Sequence, residues 1–75
     1  MYIAQLETRH FSFLAVGETE THARAAMHAG IYVHAHQYKI DGKQMAKDYA
    51  DDISVIELGY GQCMRDCSDN LVALP

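Results

Sequence analysis

The chain has 75 residues, of which 49% are hydrophobic and 21% charged, and its formal net charge is −4. This length allows one domain, 1–75, and the hydrophobic content is too high for a disordered chain. No apolar run approaches the roughly 18 residues of a membrane helix, and direct binding of nucleic acid would need a basic face. The start, MYIAQLETRH, lacks the pattern of a signal peptide, so we expect a cytoplasmic protein without membrane contact.

Two segments with alternating side chains open the chain, residues 2–7 and 11–17, and a polar stretch separates them. This pattern predicts a β-hairpin, although its turn lacks the Asn-Gly signal. Tyr2, Ala4 and Leu6 share one face of the first strand, and in the second Phe11, Phe13 and Ala15 lie opposite Ser12, Leu14 and Val16.

A helix is predicted from Thr19, whose hydroxyl suits an N-cap, with Glu20 in the first turn and strong helix formers in ARAAMHA. Its continuation, GIYVHAHQYKI, fits a strand with a period of two or a helix with a period of 3.6. The longer segment favours one helix over about 19–38. Its predicted inner face consists of Ala23, Ala26, Met27, Gly30, Val33, His34 and Tyr38.

The second half predicts a short helix, a strand and a less regular end. Asp41 followed by Gln44 resembles a capping box, which indicates a helix over 42–51. The β-branched segment 53–58 predicts a third strand beside the first, and a short edge strand over 62–65 precedes a loose tail. The resulting class is α+β, β-β-α-α-β, with an antiparallel sheet of three to four strands and both helices on one face.

His34 and His36 offer a metal-binding alternative that depends on the same ambiguity. In a strand their side chains share a face about 7 Å apart and could chelate a divalent ion with His28 or Glu57. In a helix they lie about 200° apart, which predicts no metal site and no cofactor. Cys63 and Cys67 lack the C-x-x-C spacing of zinc or redox sites, yet a small metal-binding or redox protein stays the alternative function.

Partner binding is the function that the helical interpretation favours. His28, Tyr32 and His36 are spaced i, i+4 and i+8, so a ridge of rings would face solvent, and aromatic residues are enriched in interfaces. Three carboxylates, Asp48, Asp51 and Asp52, either form a solvated helix end or an acidic patch for a basic partner. Because no nucleophile elbow or phosphate loop occurs, we expect no enzymatic activity.

The segments HFSFLAVGETETHARAAMHAG and YADDISVIELGYGQCMRD resemble small proteins encoded by phages and mobile elements. In these, a hairpin leads into a TE-x-x-AR-x-A helix, and YADDI-x-V-x-E opens a strand. The resemblance implies an inhibitor of the anti-CRISPR kind, which docks on a basic surface of a host protein or ribonucleoprotein complex and blocks target DNA. It assigns no binding residues, and a homodimer with a site between the subunits is a further alternative.

Overall fold

The structure is a computed structural model that describes residues 1–67 and 70–74, with side chains described for 1–65 and 72–74. It confirms the α+β class and the predicted order of the first five elements. In chain order these are β1 (Tyr2–Glu7), β2 (Ser12–Gly17), α1 (Glu20–Gln37), α2 (Gly42–Tyr49) and, after a 3-10 turn at Ala50–Asp52, β3 (Ser54–Glu57). Two further strands follow, β4 (Cys63–Cys67) and β5 (Asn70–Leu74).

The first three strands form an antiparallel sheet in the order β2-β1-β3. Gln5 lies opposite Leu14 on one side, and Ala4 lies opposite Val55 on the other. The predicted position of the third strand beside the first is therefore confirmed. Central β1 supplies Ala4 and Leu6 to the core, and both are almost completely buried.

A second sheet of two strands, β4 and β5, corrects the predicted loose tail. Residues 70–74 form a strand that pairs antiparallel with β4, with Met64 opposite Ala73. The predicted edge strand near 62–65 exists as β4, but it belongs to this second sheet rather than to the first. The sequence NLVAL is apolar enough to form a strand, but only the tertiary structure shows that this strand pairs with β4.

Helix α1 packs across one face of the three-stranded sheet, and α2 packs against α1 and contributes Ala46 to the same core. Small side chains let the backbones approach closely, which is how a chain this short fills its core. The buried cluster consists of Ala4, Leu6, Ala23, Met27, Ile31, Ala46 and Ile53.

The buried stripe of α1 differs from the predicted inner face. Ala23, Met27, Ile31 and Ala35 are buried at intervals of four residues. Gly30, Val33 and Tyr38, which were predicted to face inward, are exposed. Alanines lie on every side of this helix, so the hydrophobic pattern does not clearly distinguish a buried side from an exposed one. The large Ile31 side chain packs in the core cluster, and its face of the helix is therefore the buried one.

Each helix begins at the predicted cap. The Thr19 hydroxyl oxygen accepts from the His22 backbone N–H at 3.0 Å, and Asp41 Oδ1 accepts from the N–H groups of Lys43 and Gln44. The reciprocal half of the predicted capping box does not form, because the Gln44 side-chain amide donates instead to Asp48 Oδ1 at 2.7 Å.

Thr19→Ala is expected to lower the free energy of unfolding by about 1 kcal/mol, since the cap hydroxyl satisfies an otherwise free N–H. Urea unfolding followed by circular dichroism measures it. Thr21→Ala is the matched control within the helix and should leave stability unchanged or slightly raised. Equal losses in both variants would show that the cap contributes nothing specific.

Candidate protein-binding groove

A groove of about 320 Å³ opens between the β1–β2 turn, the C-terminal end of α1 and helix α2. We call it the aromatic groove, because ring side chains form much of its floor. Its size lies at the small end for ligand pockets, which suits a side chain or short segment better than a large cofactor. It is lined by Thr8, Arg9, His10, Phe11, His34, Ile40, Asp41, Gln44, Met45, Asp48 and Tyr49.

His34 is the centre of a ring cluster beside this groove. Its imidazole lies 4.6 Å from the Phe11 ring, 5.1 Å from Phe13 and 4.7 Å from Tyr38, measured between centroids. The contacts with Phe11 and Phe13 are edge-to-face, the geometry that aromatic pairs favour. The half-buried position of His34 agrees with the helical prediction, and its packing joins α1 to β2.

The end of α1 places Ile40 at the groove. Lys39 has a φ of 56°, in the left-handed region that terminates helices. The Ile40 N–H then donates back to the Ala35 carbonyl at 2.8 Å, which turns the chain toward α2. Ile40 is left 52% exposed as an apolar side of the groove.

Charged and polar side chains surround the apolar floor. Arg9 and His10 come from the β1–β2 turn, whereas Asp41 and Asp48 come from the start and the last turn of the α2 segment. Asp41 Oδ1 is engaged in capping, and Asp48 Oδ1 accepts from Gln44. A ligand would therefore meet two carboxylates on the α2 side and basic groups on the turn.

The predicted contact residues are distributed over more than one surface. Asp48 lines the aromatic groove, while Asp51 and Asp52 are exposed in the 3-10 turn that follows α2. Two of the three predicted ridge residues are exposed, Tyr32 at 47% and His36, whereas His28 is half-buried. Tyr32 also lies close to Gly42, where an added Cβ would be 2.7 Å from the ring.

Sequence reasoning missed most of the groove. Phe11, Ile40 and Tyr49 come from three separate elements, and no local motif joins them. The one hint in the sequence was the apolar character of Tyr38 and Ile40, which follow the end of α1 and are exposed in the structure. Apolar residues after a helix are common, so the sequence alone does not assign Ile40 to a groove. The groove exists because the turn at residues 8–11 lies opposite Ile40.

The geometry does not support a metal ion shared by His34 and His36. His34 and His36 both lie within α1, about 200° apart around its axis. Among the side chains described, those of residues 1–65 and 72–74, no group of three or more potential ligands is placed to hold a metal ion. Cys63 is exposed with a free thiol, and the side chain of Cys67 lies outside the described residues.

One titratable group outside the groove is perturbed. The side chain of Glu57, opposite Tyr2 in the β1–β3 register, accepts a hydrogen bond from the phenol and repels its anion. Both effects raise the pKa of Tyr2 above its ordinary value, with smaller contributions from burial and from Glu20. This pair lies between β1 and β3, outside the groove.

A scan of family models, a search of curated proteins and a search of solved structures each found no match for this chain. Among the described helices, none has the length and apolar character needed to cross a membrane.

Proposed function

We propose that this chain is a non-enzymatic protein-binding module that docks its aromatic groove on a basic surface of another protein or ribonucleoprotein complex. Docking there would block nucleic acid or another partner from that surface. The observation that carries the proposal is the combination, in one groove, of exposed apolar side chains with carboxylates on the α2 side.

The apolar part of the groove has the character of an interface centre. Phe11 is 39% exposed and Ile40 is 52% exposed. Tyr38 is 55% exposed, and its ring lies 5.3 Å from the Phe11 ring at a tilt of 59°. A cluster of large apolar side chains left in solvent at one place is typical of protein-interaction sites. Aromatic side chains at such centres contribute a large share of binding energy when a partner excludes water from them.

The charge of the chain favours one kind of partner. With a net charge of −4, the molecule is attracted to basic surfaces, and Asp41 and Asp48 place negative charge on the α2 side of the groove, opposite Arg9 on the turn. Asp51 and Asp52 extend this charge along the same segment. The matching partner feature is an apolar side chain flanked by lysine or arginine.

The inhibitory consequence rests on the resemblance to small phage and mobile-element proteins of the anti-CRISPR kind. Surfaces that bind nucleic acid are basic, so an acidic module that covers one competes directly with the nucleic acid. In this proposal His28, Tyr32 and His36 form a second contact region on α1, and Asp48 belongs to the groove.

Site-specific photo-crosslinking at Ile40 tests the proposal. In a host cell extract, a photoreactive residue at position 40 is expected to capture a defined protein in a one-to-one adduct. The same group at Val72, which lies on β5 and is 38% exposed, is the matched control and should not capture that protein. Equal capture from both positions, or none from position 40, would contradict docking through the groove.

Asp48→Lys is expected to weaken binding of the captured protein by at least about tenfold, since it reverses a charge at the groove. Asp52→Lys makes the same change outside the groove lining and should have a smaller effect. Tyr32→Ala measures the contribution of the α1 region.

The affinity of the wild type should fall with added salt, and the purified partner should lose nucleic-acid binding when the wild-type chain is added. An affinity indifferent to Asp48→Lys would exclude the groove as the contact.

A further inference from the structure

Strand β2 lies at an edge of the three-stranded sheet, and no strand within the described residues pairs with its outer side. The Thr8 N–H donates to the Phe11 carbonyl at 2.8 Å, so the backbone of Phe11 faces β1. In an antiparallel pair the facing residues alternate, which directs Phe13, Ala15 and Gly17 toward β1 as well. The N–H and C=O groups of Ser12, Leu14 and Val16 therefore point away from the sheet.

The side chains on this edge are unusually free of charge for an exposed strand. The segment Ser12–Gly17 contains no Asp, Glu, Lys or Arg, no proline and no bulge, which are the features that normally prevent edge pairing. Leu14 is 68% exposed and Val16 54% exposed. Two carboxylates border the edge at its ends: Glu7 of β1 accepts from the Ser12 hydroxyl at 2.7 Å, and Glu18 directly follows the strand.

Helix α1 covers the other face of β2, the face of Phe13, and is also uncharged near the edge. His34 contacts Phe13 of β2, so the flank of α1 on that side of Ile31 lies over β2. At 100° per residue, Gly30 lies on this flank, with Ala26 and Val33 next to it. Gly30 and Val33 are exposed, and Ala26 is half-buried.

The opposite edge of the sheet is different. Strand β3 carries Glu57, follows the acidic turn at Asp51 and Asp52, and lies next to β5. Two copies of a chain with net charge −4 repel each other unless they meet through an uncharged surface. The β2 edge and the α1 flank provide such a surface. The outward N–H and C=O groups of β2 are also complementary to those of β2 in a second copy of the chain.

We propose that two copies of this chain pair antiparallel through β2, with Leu14 opposite Leu14 of the second copy and Ser12 opposite Val16. This register places every outward N–H of the three residues against an outward carbonyl, and it joins the two sheets into one of six strands. The two-fold axis passes between the paired Leu14 residues, which makes the contact closed and limits the assembly to a dimer. The inference does not depend on the proposed function of the aromatic groove.

Sedimentation equilibrium of the purified chain tests this inference through three proteins. The wild type is expected to show twice the mass of one chain and to dissociate on dilution. Leu14→Lys places two ammonium groups opposite each other and removes two buried leucines, so the dissociation constant should rise by more than about tenfold. Val72→Lys, the matched control on β5, should retain the wild-type mass, and circular dichroism confirms that each variant is folded.

Amide exchange identifies the paired strand independently of mass. In the dimer, the N–H groups of Ser12, Leu14 and Val16 should be protected, and in Leu14→Lys they should exchange rapidly while those of Phe13 and Ala15 stay protected. A monomeric wild type with rapidly exchanging Leu14 and Val16 amides would overturn the proposal and leave the edge to a strand of another protein. A dimer that persists unchanged in Leu14→Lys would overturn it equally.

Discussion

Replacing Gly17 with alanine is expected to remove most of the chain's free energy of unfolding. Gly17 is buried where β2 leads into α1, and a Cβ there would overlap the backbone N of Ala23 and lie 2.7 Å from the backbone C of His22. Backbone atoms cannot swing aside as a flexible side chain can. The cost should reach about 3 kcal/mol or more, while the core of so small a chain supplies only about 3–5 kcal/mol.

Gly30→Ala is the matched control for this prediction. It adds the same methyl group within α1, where a Cβ would meet nothing within 4 Å. Because alanine is a much better helix former than glycine, the free energy of unfolding should rise by about 1 kcal/mol. Urea unfolding of both variants measures the difference, and a Gly17→Ala protein as stable as the wild type would contradict the close contact between β2 and α1.

Ile31→Ala is the second substitution with a large expected effect. Ile31 is fully buried in the cluster between α1 and the sheet. Truncation removes buried apolar volume and leaves a cavity, at a cost of about 2–5 kcal/mol. Thermal unfolding followed by circular dichroism should show a strongly lowered midpoint or no cooperative transition.

Val33→Ala is the control that distinguishes the two assignments of the α1 face. Val33 is 59% exposed, so its truncation should change stability by no more than about 0.5 kcal/mol. The inner face predicted from the sequence contains Val33 and omits Ile31, and it would give the opposite order of effects. A larger loss from Val33→Ala than from Ile31→Ala would therefore contradict the structural register of α1.

The two proposed surfaces can be tested separately, because they use different parts of the chain. The aromatic groove uses side chains of the β1–β2 turn, the end of α1 and α2, while the dimer contact uses the backbone edge of β2 and the adjacent flank of α1. Asp48→Lys should weaken partner binding without changing the mass in solution. Leu14→Lys should change the mass, and any effect on partner binding would show that the partner needs two grooves at once.

Local signals were sufficient for much of the secondary structure. Thr19 and Asp41 were recognised as caps because an N-cap needs only a side-chain oxygen at one position. The alternation of residues 2–7 and 11–17 identified the hairpin, and the longer period of 19–38 identified α1 despite its β-favouring segment. These features depend on neighbours within a few positions, which the sequence contains explicitly.

Only the tertiary structure decided which surfaces exist. The buried stripe of α1 follows from the fit of Ile31 against the sheet, and the partner of residues 70–74 follows from the position of β4. The aromatic groove required the turn at residues 8–11 to lie opposite α2, which brings Phe11 and Tyr49 together across a long sequence separation. Contacts of this kind depend on the packing of whole elements, and a chain with small apolar residues on every side of its long helix does not encode that packing in a local pattern.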